Sequence, residues 1–369
     1  MSTTFYSSRL KNKLVYRYVL GISGISMAIV GWLFSVGMPT EAGPFLIFSL
    51  ATLSIGVKGF SWVSGLSFTL LILSVVAASL YYPGFFLTIG TYETAGLITP
   101  LIQVIMFGMG TSMGLNDFIA LAKSPKAVLV GVGCQFTLMP GLAFGIAFFS
   151  GFPTEIAAGI ILLGCAPTSV ASPVMCYLAK ANVALTITIV SVTTLIAPFV
   201  IPLLMKLLAD GFIEIDILAM MWNIIQIVLV PIGAGLLFNK FLSGKAIWLD
   251  KAMPYISMGG IVIIVAIIMA AGQESLLNMG LLLIVAVLIH NLLGYLTGYW
   301  AARFFNLNEQ DCRTISIATG MQNAGLVSGI AKTMGKIATV GLASAVCGPL
   351  MGFTSSVLAS YWNSKESKE

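Results

Sequence analysis

The sequence predicts an all-α polytopic membrane protein, a ten-helix transporter fold of two inverted five-helix repeats preceded by two extra N-terminal transmembrane helices. Three observations predict it. Hydrophobic residues fill 58% of the 369 positions and charged residues 8%, a ratio that no water-facing surface tolerates. Apolar stretches of about 18 or more residues recur from Tyr18 to Trp362, each long enough for a hydrocarbon core of ~30 Å. Two of these stretches carry helix-breaking residues at membrane depth, at matching places in two halves of the chain.

The elements follow in order. Arg9, Lys11, Lys13 and Arg17 precede an apolar run, Tyr18 to Met38. That run is long for a signal peptide, and no small-residue cleavage site follows it, so it reads as an uncleaved first span. Twelve segments result: 18–38, 43–57, 61–80, 96–115, 126–150, 155–179, 181–208, 217–238, 254–271, 276–303, 312–332 and 337–361. The second, "GPFLIFSLATLSIGV", is short for a full crossing.

Basic residues orient the set. With both termini inside, cytoplasmic ends hold all of the 18 Lys and Arg except Lys206, Lys332 and Lys336, as the positive-inside rule requires. The net charge of +5 therefore reflects loop bias and gives no reason to expect nucleic acid. The expected setting is a bacterial inner membrane. Cys134, Cys165, Cys176, Cys312 and Cys347 form no CxxC pair and no metal-ligand spacing, so they read as small packing residues.

"GCAPTSVASP" (Gly164–Pro173) and "ATGMQNAG" (Ala318–Gly325) break the helix rule. Proline removes a backbone donor and crowds the preceding turn, and glycine loosens the chain. In hydrocarbon, each freed polar group costs several kcal/mol unless protein shields it or it lines a cavity. Counting the last ten spans as five plus five from Ser61 and Glu214, Pro167 falls 106 residues into the first half and Met321 falls 107 into the second. An odd number of spans per half inverts the second half. Inverted halves with helices broken at matching depth point to the binding site of a secondary transporter; a lone proline kink, by contrast, is usually architecture.

"GMQNAG" resembles the GMQN signature of the bile acid:sodium symporter family. The resemblance extends to "GCAPTSVASPVMCYLAKANVAL" (Gly164–Leu185), "FGMG" (Phe107–Gly110), "QFTLMP" (Gln135–Pro140) and "HNLLGY" (His290–Tyr295), and covers about Ser61 to Trp362. It implies a transport domain over 60–362, which leaves outside it an N-terminal extension over 1–59 with two predicted spans and a tail over 363–369. It further implies that the transport domain divides into a panel (60–116 and 214–272) and a core (126–208 and 276–362). The two discontinuous helices cross in the core, where an organic anion, bile-acid-like or a small carboxylate, binds facing the panel. Family members typically couple uptake to two sodium ions.

The resemblance also marks departures. Where the family carries Glu-Val before GMQN, this chain has Ala318 and Thr319, and the usual Ser-Asn pair becomes Ser172-Pro173. Two further hydroxyl ligands align with Thr186 and Val190. The first sodium site thus keeps only Ser172 and Thr186. The second keeps Gln135, Gln322 and the carbonyls around Ala318, Thr319 and Met321. A hard cation held by neutral oxygens alone is poorly repaid for its lost water, although dipoles of helix ends partly substitute. The expectation is a sodium-coupled transporter with reduced or altered ion stoichiometry, the first site lost and the second weak. Sodium is the sole metal expected, as a coupling ion, with no other cofactor.

For the substrate, the candidates are Thr168, Ser169, Ser172 and Pro173 in the first break, Asn323 in the second, and His290. Gln322 and Asn323 have a plainer reading, as caps on freed backbone groups. His290, the lone histidine, reads as a proton relay or, more commonly in membranes, as a structural hydrogen-bonding residue. Gln135, amid apolar neighbours, needs partners.

Rival classes are a cation-independent facilitator and a non-transporting sensor on the same scaffold. An enzyme is disfavoured. "GTSMG" (Gly110–Gly114) matches GxSxG with Ser112, but it closes a membrane helix where a nucleophile elbow needs a strand–turn–helix.

Overall fold

The computed structural model describes residues 2–60, 64–112, 124–242 and 247–366. Ser61, Met113, Gly114, Lys123, Lys245 and Lys368 of the sequence argument lie outside them. The described chain is helical except for short connections and one two-residue hairpin, and among the described residues nine helices are long and apolar enough to cross a membrane.

The first two helices, α1 (Ser2–Ser35) and α2 (Ala42–Gly56), form a hairpin. Its seam is made by serines that donate to the facing backbone: Ser23 Oγ to Ser49 O (2.8 Å), Ser49 Oγ to Ser23 O (3.0 Å) and Ser26 Oγ to Phe45 O (2.8 Å). Small hydroxyl residues allow close approach and leave no donor bare in lipid. The same device binds α3 (Ser67–Tyr81), through Ser67 Oγ to Ser54 O at 2.7 Å and Ser74 Oγ to Ile47 O at 2.8 Å. The short second segment gains one tight turn, Val57–Gly59, and reaches 18 residues. After α3, strands β1 (Thr88–Ile89) and β2 (Tyr92–Glu93) pair antiparallel across Gly90, whose φ of +63° suits glycine.

Four helices make one body. α4 (Ile98–Ser112) packs on α9 (Ile217–Phe241) and α10 (Ile247–Ala271), and α10 also packs on α3. The α4–α9 crossing is backbone to backbone, since a Cβ on Gly110 would stand 2.3 Å from Ile232 O, and one on Gly235 2.3 Å from Phe107 O.

The remaining helices are α5 (Pro125–Phe149), α6 (Thr154–Cys165), α7 (Ser172–Leu178), α8 (Val183–Ala209), α11 (Gln273–Phe304), α12 (Glu309–Gly320), α13 (Ala324–Thr333) and α14 (Leu342–Glu366). They pack mainly on one another, α5 on α6, α11 on α12 and α14, α8 on α6 and α12. The two segments expected to be broken are indeed interrupted, between α6 and α7 and between α12 and α13. One π-turn, Cys134–Leu138, widens α5 where Gln135 stands; such bulges are rare and often accompany function.

Candidate functional site at the crossing of two interrupted helices

The two interruptions meet. Thr168 and Gln322 form an isolated antiparallel β-bridge, flanked by Ser169 N–H donating to Met321 O (2.8 Å) and Asn323 N–H donating to Pro167 O (2.9 Å). Each unwound strand thus supplies what the other lacks, which is how bare backbone survives at membrane depth.

Side chains close the remaining carbonyls. Gln135 Nε2 donates to Ala166 O at 2.7 Å, capping the end of α6. Asn291 Nδ2 donates to Gly320 O at 2.8 Å, capping the end of α12. The second half-helix α13 is capped too, Asn323 Oδ1 accepting from Leu326 N–H, and before α7 Ser169 Oγ accepts from Ala171 N–H in the turn. Helix starts leave such donors free, and short polar side chains satisfy them.

A buried amide network sits behind the bridge. Gln135 Nε2 also donates to Gln322 Oε1 (2.7 Å), Thr168 Oγ1 donates to Gln135 Oε1 (3.3 Å), and Gln322 Nε2 donates to Thr319 O (2.8 Å). All four residues have no exposure. The two glutamine oxygens and the Thr319 carbonyl are therefore closed on one another, while Thr319 Oγ1 is buried without a partner.

In front of the bridge lies a cavity of about 190 Å³. Its far wall is apolar, with Ile72 of α3, Met106 of α4 and Ile264 of α10, and its near wall carries Ser169, Asn323 and Gly325. None of its lining residues is charged. Asn323 Nδ2 is buried without a hydrogen-bond partner, and an unmet donor of this kind costs about 1–3 kcal/mol. It stands ready for an acceptor.

The structure sorts the expected residues. Ser169, Asn323 and Met321 line the cavity; Thr168 and Gln322 form the bridge behind it; Gln135 supports both breaks. Ser172 and Pro173 open α7, and Ser172 Oγ donates to Ser169 O at 2.8 Å. Thr186 Oγ1 likewise donates to Asn182 O at 3.1 Å. Ala318 and Thr319 are buried at the end of α12. His290 takes the structural reading and not that of a substrate ligand: its Nε2 contacts Met139 O (3.2 Å) between α11 and α5, and it does not line the cavity. A buried imidazole in an apolar span needs such a partner. Ser112 Oγ donates to Gly108 O in its own helix and does not meet His290. Asn291, within the HNLLGY motif, was not among the candidates from sequence. Its signal was spacing, since it precedes the carbonyl it caps by 29 positions and Gln135 precedes its own by 31. The apolar wall carried no signal, because any span offers Ile and Met.

Comparison with known proteins bears on the family. The family model described as Sodium Bile acid symporter family matches residues 99–279. The chain is 36% identical over 313 residues to the uncharacterized sodium-dependent transporter YocS of Bacillus subtilis (strain 168), covering 85% of this chain and 96% of that protein. The chain belongs to the sodium bile acid symporter family. It is also similar to the probable sodium/metabolite cotransporter BASS1, chloroplastic, of Arabidopsis thaliana, at 31% identity over 73% of this chain and 67% of that one. The rice protein of the same description shares 30% identity over 82% and 73%. As a member of this symporter family the protein is a multi-pass membrane transporter and not an enzyme.

Proposed function

We propose that this symporter-family protein moves a small organic anion by alternating access, coupled to sodium with fewer ions than two. The carrying observation is the unpartnered Asn323 amide facing an uncharged cavity at the point where two broken helices pair.

The anion is held by dipoles. Asn323 Nδ2, the Ser169 hydroxyl and the N-terminal end of α13 supply donors and partial positive charge. A cavity of about 190 Å³ falls below the usual ~300–1,000 Å³ of ligand sites, which favours a small carboxylate over a bile salt. The relatives described as sodium/metabolite cotransporters support a metabolite as the cargo.

Two five-helix repeats of opposite orientation account for the crossing. Thr168 and Gln322 are 154 positions apart, and so are Ser169 and Asn323, and Pro167 and Met321. Exchanging partners by that interval carries the two flanking hydrogen bonds onto each other, as a local two-fold axis does. The same interval carries α6 onto α12 and α8 onto α14 within a few residues. We assign α3, α4, α9 and α10 to a panel that stays fixed, and the rest of 126–362 to a core that moves, with 1–59 fastened to the panel through α3. Both termini lie in the cytoplasm of a bacterial inner membrane.

Sodium coupling rests on relatives named for it and on Gln135, Gln322 and the Thr319 carbonyl. These oxygens are engaged with each other, and no carboxylate stands at Ala318, so an ion must break the Gln135–Gln322 bond and is bound weakly. At the first site Ser172 and Thr186 donate their hydroxyl hydrogens to backbone carbonyls and keep oxygen lone pairs for an ion, but Pro173 and Val190 offer no side-chain oxygen, so the site has half of its side-chain ligands.

The experiment is uptake of labelled small carboxylates into proteoliposomes under a sodium gradient, with melting measured in sodium and in potassium. Uptake rising with sodium along a one-ion curve is expected. A steep two-ion curve would sink the reduced stoichiometry, downhill equilibration indifferent to sodium would make the protein a facilitator, and tight binding without uptake would make it a sensor.

A further inference from the structure

A second cavity lies away from the crossing, between α11 and α14, with a volume of about 800 Å³. Its walls are Leu292, Leu296, Phe353 and Val357, all 47–54% exposed. Both helices are long and apolar enough to span a membrane, so this groove opens toward lipid tails and not toward water.

Its mouth is different chemistry. Tyr299, Glu309 and Trp362 line that end. The Arg303 guanidinium lies 5.6 Å from the centre of the Tyr299 ring, and that of Arg313 lies 6.0 Å from the centre of the Trp362 ring. Glu309 accepts from both, at 2.6 Å from Arg303 and 3.0 Å from Arg313. Two guanidinium groups thus gather at one end of the groove, and that of Arg303 is 47% exposed beside a belt of Tyr and Trp. The mouth lies at the end of α11 that the basic-residue bias assigns to the cytoplasm.

We propose that this groove is a binding site for one anionic phospholipid, with an acyl chain between α11 and α14 and its phosphate against Arg303. Three features select this occupant over a protein partner. The space is concave and holds a bent chain, where a second helix would leave it unfilled. The charged end and the apolar length follow the order of headgroup and tail. Basic pockets between spans on the cytoplasmic side suit anionic headgroups, and aromatic residues mark the headgroup level.

The groove also touches the transport machinery. On its floor, Tyr295 Oη and Thr354 Oγ1 are hydrogen-bonded at 3.2 Å, and Thr354 Oγ1 donates to Asn291 Oδ1 at 2.6 Å. Asn291 is the residue that caps Gly320 O at the second break. The Tyr295 ring itself presses on Gly320, where a Cβ would stand 2.2 Å from it. A seated lipid therefore leans on a chain of contacts ending at the crossing.

The test uses the full chain purified in mild detergent, with native mass spectrometry after addition of phosphatidylglycerol or phosphatidylcholine of identical tails. Wild type is expected to retain one phosphatidylglycerol in preference to phosphatidylcholine. Arg303→Gln should reduce that preference about fivefold, the worth of one arginine near an anionic surface. Val357→Trp should weaken retention of both lipids by narrowing the groove, with Leu296→Trp as a second bulky variant should the first fail to fold. Equal retention of the two lipids by wild type, or undiminished retention in both folded bulky variants, overturns the proposal. So does cross-linking of two copies through Val357→Cys with no lipid retained, which would make the groove a contact between protomers.

Discussion

Asn323 carries two duties that substitution can separate. Its Oδ1 caps α13 and its Nδ2 is unpartnered in the cavity. Asn323→Asp keeps the cap and trades the donor for negative charge. The carboxylate would sit 5% exposed in an uncharged cavity, so melting should drop by about 1–3 kcal/mol, while affinity of the folded variant for the anionic substrate should fall at least tenfold, read by ligand-induced melting shifts. Retained affinity would remove Asn323 from the substrate. Ala318 offers the converse experiment. Ala318→Glu puts a carboxylate beside the Gln135–Gln322 pair, where without a cation it is a buried unpaired charge. The variant should be less stable than wild type in potassium and should recover in sodium, giving a larger sodium-dependent melting shift than Ala318→Gln. Equal shifts in the two would show that no cation approaches this position. At this scale the sequence was half legible. The polar residues at the breaks stood out against apolar neighbours, but whether Gln135 meets an ion or a carbonyl depends on a partner 31 positions away, and no local pattern encodes that.

Helices and their interruptions were the most legible features, because hydropathy and proline act locally. What spacing alone left open was how two unwound strands are tolerated together, and the answer is the antiparallel bridge between Thr168 and Gln322. Contact between whole helices was less legible, since a glycine in a span reads the same whether it faces lipid or a neighbour's backbone. Gly110 and Gly235 mark where α4 and α9 touch. Gly110→Ala and Gly235→Ala should each cost about 1–3 kcal/mol, as overpacking does. Because either methyl already forces the helices apart, the double variant should cost less than the sum. Additive losses measured by chemical denaturation in detergent would mean that the two contacts yield independently.

Across the whole molecule, the arrangement of polar and apolar walls constrains how transport proceeds. The cavity is bounded on one side by α3, α4 and α10 and on the other by the crossing and α14. The α1–α2 hairpin is stitched to α3 by serine hydroxyls, which adds mass to the first wall and none to the second. A wall so anchored is the natural stationary partner, and the crossing, tied internally by its bridge and amide network, is the natural moving one. Under the proposed division, substrate exchange requires sliding along the seam between Thr69 and Gly352, where a Cβ on Gly352 would lie 3.2 Å from Thr69 Oγ1. Thr69→Cys combined with Gly352→Cys places two thiols across that seam at disulfide range. The five native cysteines are buried, so mild oxidation should act on the new pair. Oxidised protein should lose uptake in proteoliposomes while still melting cooperatively, and a reductant should restore transport. Full-rate uptake through the cross-linked protein would mean that the two walls do not move against each other, and the division into a fixed and a mobile body would have to be abandoned.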